Sequence, residues 1–319
     1  MIRLGIAGTG KIIPESAAAL QETGYELVSI WGPHPRKAEP LARQFGIPKV
    51  CESFGELLRS GIDFVYIALV NSVHYEYARQ ALEAGVNVLL EKPFCSTAKQ
   101  AEDLTAFSIR SGLFLFETIS NIYQPAWALV REKLPLIGQV KLFQADFSQY
   151  SSRYDAYLAG EVSASFNPAC EGGTLRDLNV YNLHLAADLF GRPEEVIFRA
   201  NRGYNGVDTS GTVLLKYPEL LAVCTAAKDS GNPSGITIQG DKGWIRVDGM
   251  PNILPEVQVC EKGKDPERFS PNRHASRLSS QFEFFRDAYL NGDHAAMAGR
   301  LEHSLLVMEI LDRCQATIL

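Results

Sequence analysis

Short apolar runs recur through the first third of the chain, each separated from the next by a longer amphipathic stretch. Residues 2–7, 26–31, 64–68, 86–90 and 113–116 are brief, apolar and bounded by turn residues, a pattern that predicts strands. Between them, residues 37–45 and 75–84 carry apolar side chains at three- and four-residue intervals. Each is followed by a glycine, Gly46 or Gly85, suited to the left-handed position past a helix end. Strand and helix in repeated alternation predict a parallel sheet with right-handed crossovers. After about Thr118 the pattern changes. A helical segment at 125–134 leads into a long strand-like run at 140–150, a polar loop to Cys170 and the pair Gly172-Gly173. Residues 222–227, 236–239 and 244–247 then follow one another through tight turns such as Asp241-Lys242-Gly243, which predicts an antiparallel sheet. Residues 281–290 and 301–311 read as closing helices, able to pack on that sheet or to return to the first domain.

Length sharpens this into two domains, because 319 residues exceed the roughly 150 typical of one. The change of pattern divides them at 1–120 and 121–319. The fold class is therefore α/β, with a parallel N-terminal domain and a C-terminal α+β domain on a predominantly antiparallel open sheet. A formal charge of −6 with no long run of either sign argues against a nucleic-acid or anionic-membrane surface and favours small-molecule partners. No apolar stretch approaches the roughly 20 residues that span a bilayer, and the chain opens directly into a strand, so a cytoplasmic protein is expected. The six cysteines lie far apart with no Cys-x-x-Cys pair. That suggests neither a disulfide scaffold nor a metal site, and fits a reducing compartment.

Candidate chemistry begins at Gly8-Thr9-Gly10, directly after the first strand and before a helix-length segment. There a glycine turn lets the backbone approach a pyrophosphate, and a helix N-terminus favours its charge, as in the Rossmann dinucleotide fold. Gly8, Thr9, Gly10 and the next two residues, Lys11 and Ile12, are the cofactor-binding candidates. Ile13 stands where a third small residue is usual. About 20 residues on, where a carboxylate commonly binds the ribose of NAD, the chain reads Trp31-Gly32-Pro33-His34-Pro35-Arg36-Lys37, with no acid before Glu39. His34 and Arg36, with Lys37, suit a ribose phosphate. The expected cofactor is thus NAD(P), with NADP mildly favoured; solvated charges at a helix start are the bland alternative.

Further on come Asn71-Ser72-Val73-His74 and, at the carboxyl end of the 86–90 strand, Glu91-Lys92-Pro93. Taken with Gly172-Gly173-Thr174-Leu175-Arg176-Asp177-Leu178-Asn179-Val180-Tyr181, Gly206-Val207-Asp208 and the Gly240-Asp241-Lys242-Gly243 turn, their order and spacing resemble the glucose-fructose oxidoreductase, inositol dehydrogenase and MocA family. The resemblance implies a Rossmann domain followed by an α/β domain whose open sheet often forms an oligomer interface, with the active site between domains. A homodimer or higher homo-oligomer is the expected assembly. Carried over position by position, Lys92 is the catalytic lysine and Asp177 the acid of the Gly-Gly element. Tyr181 stands where many members have histidine, which looks like the branch of dimeric dihydrodiol dehydrogenase and glucose-fructose oxidoreductase. Asn71, His74, Glu91 and Lys92 join the cofactor side, and the family often has a cis bond before the equivalent of Pro93. Glu117 matches a recurrent acid. Ile122 replaces a common arginine, and Asn179 a common glycine whose backbone angles asparagine tolerates.

The activity so implied is hydride transfer between nicotinamide and a sugar, polyol or vicinal diol, by a dehydrogenase acting on CH–OH groups. A substrate hydroxyl proton would pass to Tyr181. A free tyrosine has a pKa of about 10, which a neighbouring Lys92 ammonium would lower, while Asp177 orients substrate or lysine. Two other readings remain: an NAD-dependent glycosidase on the same scaffold, and a non-catalytic NAD(P)-binding regulatory protein. His184 is expected to be a buried histidine bonded to backbone.

Overall fold

The computed structural model describes residues 1–317. Six parallel strands form the first sheet: β1 (Ile2–Ala7), β2 (Tyr25–Trp31), β3 (Lys49–Val50), β4 (Phe64–Ile67), β5 (Asn87–Glu91) and β6 (Leu115–Thr118), in the order β3-β2-β1-β4-β5-β6. The crossovers are α1 (Ile13–Glu22), α2 (Pro35–Phe45), α3 (Phe54–Leu58), α4 (His74–Glu83) and α5 (Ala98–Ser111). Local chemistry sets their ends. Ser53 and Thr97 accept the N–H groups of Glu56 and Gln100 at the starts of α3 and α5, caps worth about 1 kcal/mol each. Gly46, at φ 65°, ends α2 in the expected left-handed position.

The second sheet has eight strands: β7 (Val140–Ser148), β8 (Glu195–Arg202), β9 (Asp208–Lys216), β10 (Leu221–Ala227), β11 (Gly235–Gly240), β12 (Gly243–Asp248), β13 (Glu256–Glu261) and β14 (Glu267–Phe269). Their order is β14-β13-β12-β11-β7-β10-β9-β8, and every pair is antiparallel except β7 with β10. The connections add α6 (Pro125–Lys133), the short α7 (Tyr154–Leu158) and α8 (Val180–Phe190). α8 is apolar nearly all round and buried from Val180 to Ala187, so it forms part of a core. Asn179 and Asn182 donate to the Cys224 and Thr225 carbonyls of β10, fixing the start of α8 against that strand.

The chain divides into two compact units. One comprises Met1–Thr118 with His274–Leu305, the other Ile119–Arg273 with the chain from Leu306 onward. The chain leaves the first unit after Thr118, and residues 274–305 return to it. The reason is aromatic. On α9 (Ser279–Leu290), Phe285 stacks on Phe116 at 4.5 Å between centroids, Phe282 meets Tyr25 and Tyr66 edge-on, and Tyr289 meets Phe64 and Phe114. Burying Phe282 and Phe285 fully against the parallel sheet stabilises it by about 2–3 kcal/mol each. The helix after it, α10 (His294–Ala316), is longer than its apolar pattern suggested and contributes to both units.

Within the first unit, α1 is tied to the segment beginning at His274. Arg277 donates to Glu15, Ser279 to Glu22, and His274 lies between Glu22 and Glu283 at 3.2 and 2.9 Å. Partial burial disfavours a charged His274, but bonds to the two carboxylates outweigh it and raise its pKa. A raised pKa makes this contribution complete below the unfolded value of about 6.5 and lost as pH rises through the folded one. Urea unfolding of the parent and of His274→Gln should therefore differ most at about pH 5.5 and converge by about pH 8.5; a constant gap would show that His274 acts through packing alone.

Candidate active site

In a parallel sheet every strand delivers its carboxyl end to one edge, and here β1, β4 and β5 lie side by side. Gly8 follows β1 at φ 143°, and a side chain there would overlap the Ala68 carbonyl oxygen, so only glycine makes this turn. Gly10 differs: a Cβ there would meet nothing within 4 Å, and the residue is exposed. Thr9 lies against Gly32, where a Cβ would come within 2.7 Å of its methyl group. No side chain caps α1, and Pro14 occupies its first turn. An open glycine backbone beside an uncapped helix start fits a dinucleotide pyrophosphate. Ile13 is fully buried, and small residues one turn later, Ser16 and Ala17, join it on the inner face of α1. Lys11, His34, Arg36 and Lys37 are exposed, while Ile12 and Asn71 are partly buried.

Lys92 follows the last residue of β5, and both flanking residues are held. The Glu91 Oε1 atom accepts from the Tyr66 hydroxyl at 2.6 Å and from the Thr118 hydroxyl at 2.8 Å. Tyr66 also bonds Ser16 of α1 at 2.8 Å. One chain of bonds thus links α1, β4, β5 and β6, and burial and the Glu91 carboxylate push the Tyr66 pKa well above its ordinary value, so it stays a donor. Glu91, named among the cofactor-side residues, clamps the turn through its bonds to Tyr66 and Thr118. Pro93 is cis to Lys92, and its carbonyl faces His74 Nδ1 at 2.9 Å, while Nε2 faces the Leu69 carbonyl at 3.3 Å. His74 has no exposed surface, and burial lowers its pKa despite both carbonyls. His74, named among the cofactor-side residues, has its ring enclosed between two loop carbonyls, so its visible task is to hold the Pro93 turn. Tyr66, Ser16 and Thr118 escaped sequence reasoning, because each reads there as an ordinary core or helix residue.

In the second unit, Asp177 and Tyr181 lie across a junction that the sequence did not disclose. Residues Leu175–Asn179 form a π-helical turn, and Tyr181 belongs to the first turn of α8. Such turns concentrate at functional sites. Asn179 has ordinary helical angles, φ −68° and ψ −22°, so its tolerance of unusual backbone is not used; its amide bond to β10 is. Gly173, at φ 121°, leaves no room for a Cβ beside the Asp208 carboxylate, which accepts the Leu175 N–H at 2.6 Å. Burial raises the Asp208 pKa, and the N–H bond and the Lys228 charge oppose that rise. Asp177 bonds Lys228 Nζ at 2.6 Å, and the lysine side chain is 3% exposed against 35% for the aspartate. Tyr181 is buried, its ring 5.7 Å from that of Phe147 and its carbonyl bonded to the Asn121 amide. Lys228 was missed because, after a strand and before Asp229, it reads as a solvated charge. His184 is fully buried as expected, and Glu117 and Ile122 are buried as well. Among the described residues no group of three or more His, Cys, Asp or Glu side chains could hold a metal ion, and no helix is long and apolar enough to cross a membrane.

A parallel six-stranded sheet with a glycine turn at its carboxyl edge is the arrangement of a dinucleotide-binding Rossmann fold. Residues 2–118 match the oxidoreductase family with an NAD-binding Rossmann fold, and residues 127–246 match the GFO/IDH/MocA C-terminal domain. The chain belongs to the GFO/IDH/MocA family, and is a dehydrogenase or reductase acting on CH–OH groups. It is 35% identical to the NADP(+) scyllo-inositol 2-dehydrogenase of Bacillus subtilis over 255 residues, 78% of this chain and 76% of that one. It is 27% identical to trans-1,2-dihydrobenzene-1,2-diol dehydrogenase of Xenopus tropicalis over 97% of this chain and 95% of that one. A solved structure of a 3-ketoreductase from Actinomadura kijaniata, with NADP and TDP-benzene, superposes with a TM-score of 0.87 at 25% identity, covering 99% and 97% of the two chains.

The two glycines of the turn should separate folding from binding. Gly8→Ala, forced against the Ala68 carbonyl in a conformation alanine avoids, should cost roughly 1–3 kcal/mol and lower Tm by several degrees. Gly10→Val should leave Tm within about 2 °C yet weaken NADPH binding at least tenfold, read by fluorescence titration. Equal melting losses in the two variants would contradict this division.

Proposed function

We propose that this chain is an NADP-preferring dehydrogenase of a polyol, sugar or vicinal diol. The observation that carries the substrate class is the Asp177–Lys228 pair. The carboxylate is paired with an ammonium at 2.6 Å, and a carboxylate in such an ion pair only accepts hydrogen bonds. It therefore suits a substrate that offers a hydroxyl beside the reacting carbon. The names of the inositol and dihydrodiol dehydrogenases describe substrates of that kind. For the cofactor, the end of β2 offers Gly32 and no acid, while exposed His34, Arg36 and Lys37 follow it. The Bacillus subtilis relative is named for NADP(+).

Bound nicotinamide supplies the hydride acceptor; the rest of the chemistry belongs to this chain. Gly8, Thr9, Gly10, Lys11 and Ile12 bind the pyrophosphate, with Asn71 on the same sheet edge. Lys92 binds the oxygen of the reacting carbon and stabilises negative charge on it. Tyr181, acting as its phenolate, would take the hydroxyl proton as the carbon gives hydride to the nicotinamide, and Asp177 would orient the neighbouring hydroxyl. Residues of the second unit would select the substrate, and its eight-stranded sheet would carry assembly into a homo-oligomer.

Titration with NADPH and NADH, then absorbance assays on a polyol, aldose and diol panel, test this reading. NADPH should bind more tightly, and Lys92→Ala and Tyr181→Phe should each lose about 10²–10⁴-fold in kcat while retaining cofactor affinity. Tyr181→Phe with full turnover across the pH range would sink the acid/base role. Tight cofactor binding with no turnover on any panel member would leave a non-catalytic binding protein instead.

A further inference from the structure

Lys228 has a set of partners that packing alone does not require. Its ammonium is almost entirely buried, at the carboxyl end of β10, where an apolar side chain of similar volume would ordinarily serve. Nζ bonds two groups from different segments: Asp177 Oδ2 at 2.6 Å and the Ser165 carbonyl at 2.9 Å, with the Phe166 ring centroid 4.9 Å away. The Lys228 carbonyl accepts the Ser151 N–H at 2.9 Å, so this one residue holds the loop of residues 151–170 at its start and near its far end.

The bonds close into a ring. Gly173 N–H also donates to the Ser165 carbonyl, at 3.1 Å, and the Asp177 N–H donates to the Gly173 carbonyl at 3.2 Å. From Lys228 the path therefore runs through Asp177, Gly173 and Ser165 and returns to the same ammonium. Gly172 packs so tightly on Ala164 and Ser165 that a Cβ would lie 2.5 Å from the Ala164 carbonyl oxygen. Behind the loop, Phe166 stacks on Tyr157 at 4.8 Å, and Tyr157 on Tyr204 at 4.6 Å, an aromatic pile that makes the loop a body to be positioned as a unit. The acidic groups around the ammonium are Asp177, in direct contact, and Asp208, which feels its charge; Asp229 beside it is engaged by the Thr209 and Ser210 hydroxyls.

We propose that Lys228 is a positioning residue that locks Asp177 and the 151–170 loop into one arrangement, so that the carboxylate and the loop move only together. The proposal rests on the reading of Asp177 as a substrate-orienting group. It makes Lys228 act through Asp177, without touching substrate. Serving both the carboxylate and the carbonyl takes a group with more than one N–H, and a cation adds the charge that the carboxylate favours.

Lys228→Met keeps the volume and removes the charge, Lys228→Arg restores it, and Lys228→Met combined with Asp177→Asn completes a cycle. Lys228→Met should raise KM for the best diol about tenfold or more, change kcat less, and leave NADPH affinity unaltered. The arginine variant should recover most of that loss, and the double variant should be no more than about twofold worse than Asp177→Asn alone. Hydrogen exchange of the 151–167 amides, measured on the full chain without substrate, should quicken at least about tenfold in Lys228→Met. Should the methionine variant not fold, Lys228→Gln, which removes the charge and keeps an amide NH2 on a shorter side chain, serves for the exchange measurement. Losses that multiply in the double variant, or loop exchange unchanged from the parent, would overturn the proposal. A parent without turnover on any substrate would defeat the dehydrogenase reading, while the exchange measurement would still decide whether Lys228 holds the loop.

Discussion

A single carboxylate oxygen at the end of β5 organises the edge of the parallel sheet. Glu91 Oε1 takes one hydroxyl from β4 and one from β6, and the β4 hydroxyl continues to Ser16 of α1. Charge-assisted bonds in a partly buried place are worth about 1.5–3 kcal/mol each, and losing one leaves a partner unsatisfied. The helix beside the dinucleotide turn and the strand that delivers Lys92 consequently share one rigid reference. His74 performs the complementary task from the other side of the turn, its neutral ring facing the Pro93 carbonyl. Lys92 is thereby flanked by two residues with no freedom of their own.

The second unit solves a similar problem with different materials. A glycine pair, a π turn and two carboxylates crowd the start of α8, and each is explained by its neighbour. Gly173 is glycine because Asp208 stands where its side chain would be; Asp208 stands there because the N–H of Leu175 needs an acceptor. Asn179 and Asn182 then fasten this start to β10, the strand that ends at Lys228. The cost of burying that ammonium is offset by full pairing, and the partly exposed Asp177 keeps the pair from being a wholly desolvated one.

Local pattern carried the elements and their class. Alternation of short apolar runs with amphipathic stretches specified the parallel sheet, and glycines past helix ends marked the stops, because both depend only on neighbours along the chain. Boundaries moved by a residue or two: the strand expected at 86–90 is Asn87–Glu91, and that at 113–116 is Leu115–Thr118. α5 gave a faint signal, since its buried face consists of Ala101, Leu104 and Ser108, side chains too small or polar to register as an apolar stripe.

The sequence by itself determined the two sheet types, the glycine turn and the candidate chemical groups, since these follow from residue type and spacing. Tertiary structure alone decided what surrounds each group. It buried His74 between two carbonyls, made Glu91 a clamp across β4, β5 and β6, drew residues 274–305 onto the parallel sheet through Phe282 and Phe285, and paired Asp177 with Lys228. The physical reason is the same in each case. Solvation, pKa and hydrogen-bond partnership are set by groups distant along the chain, 51 positions away for Asp177 and Lys228, so their spacing in the sequence carries no trace of the contact.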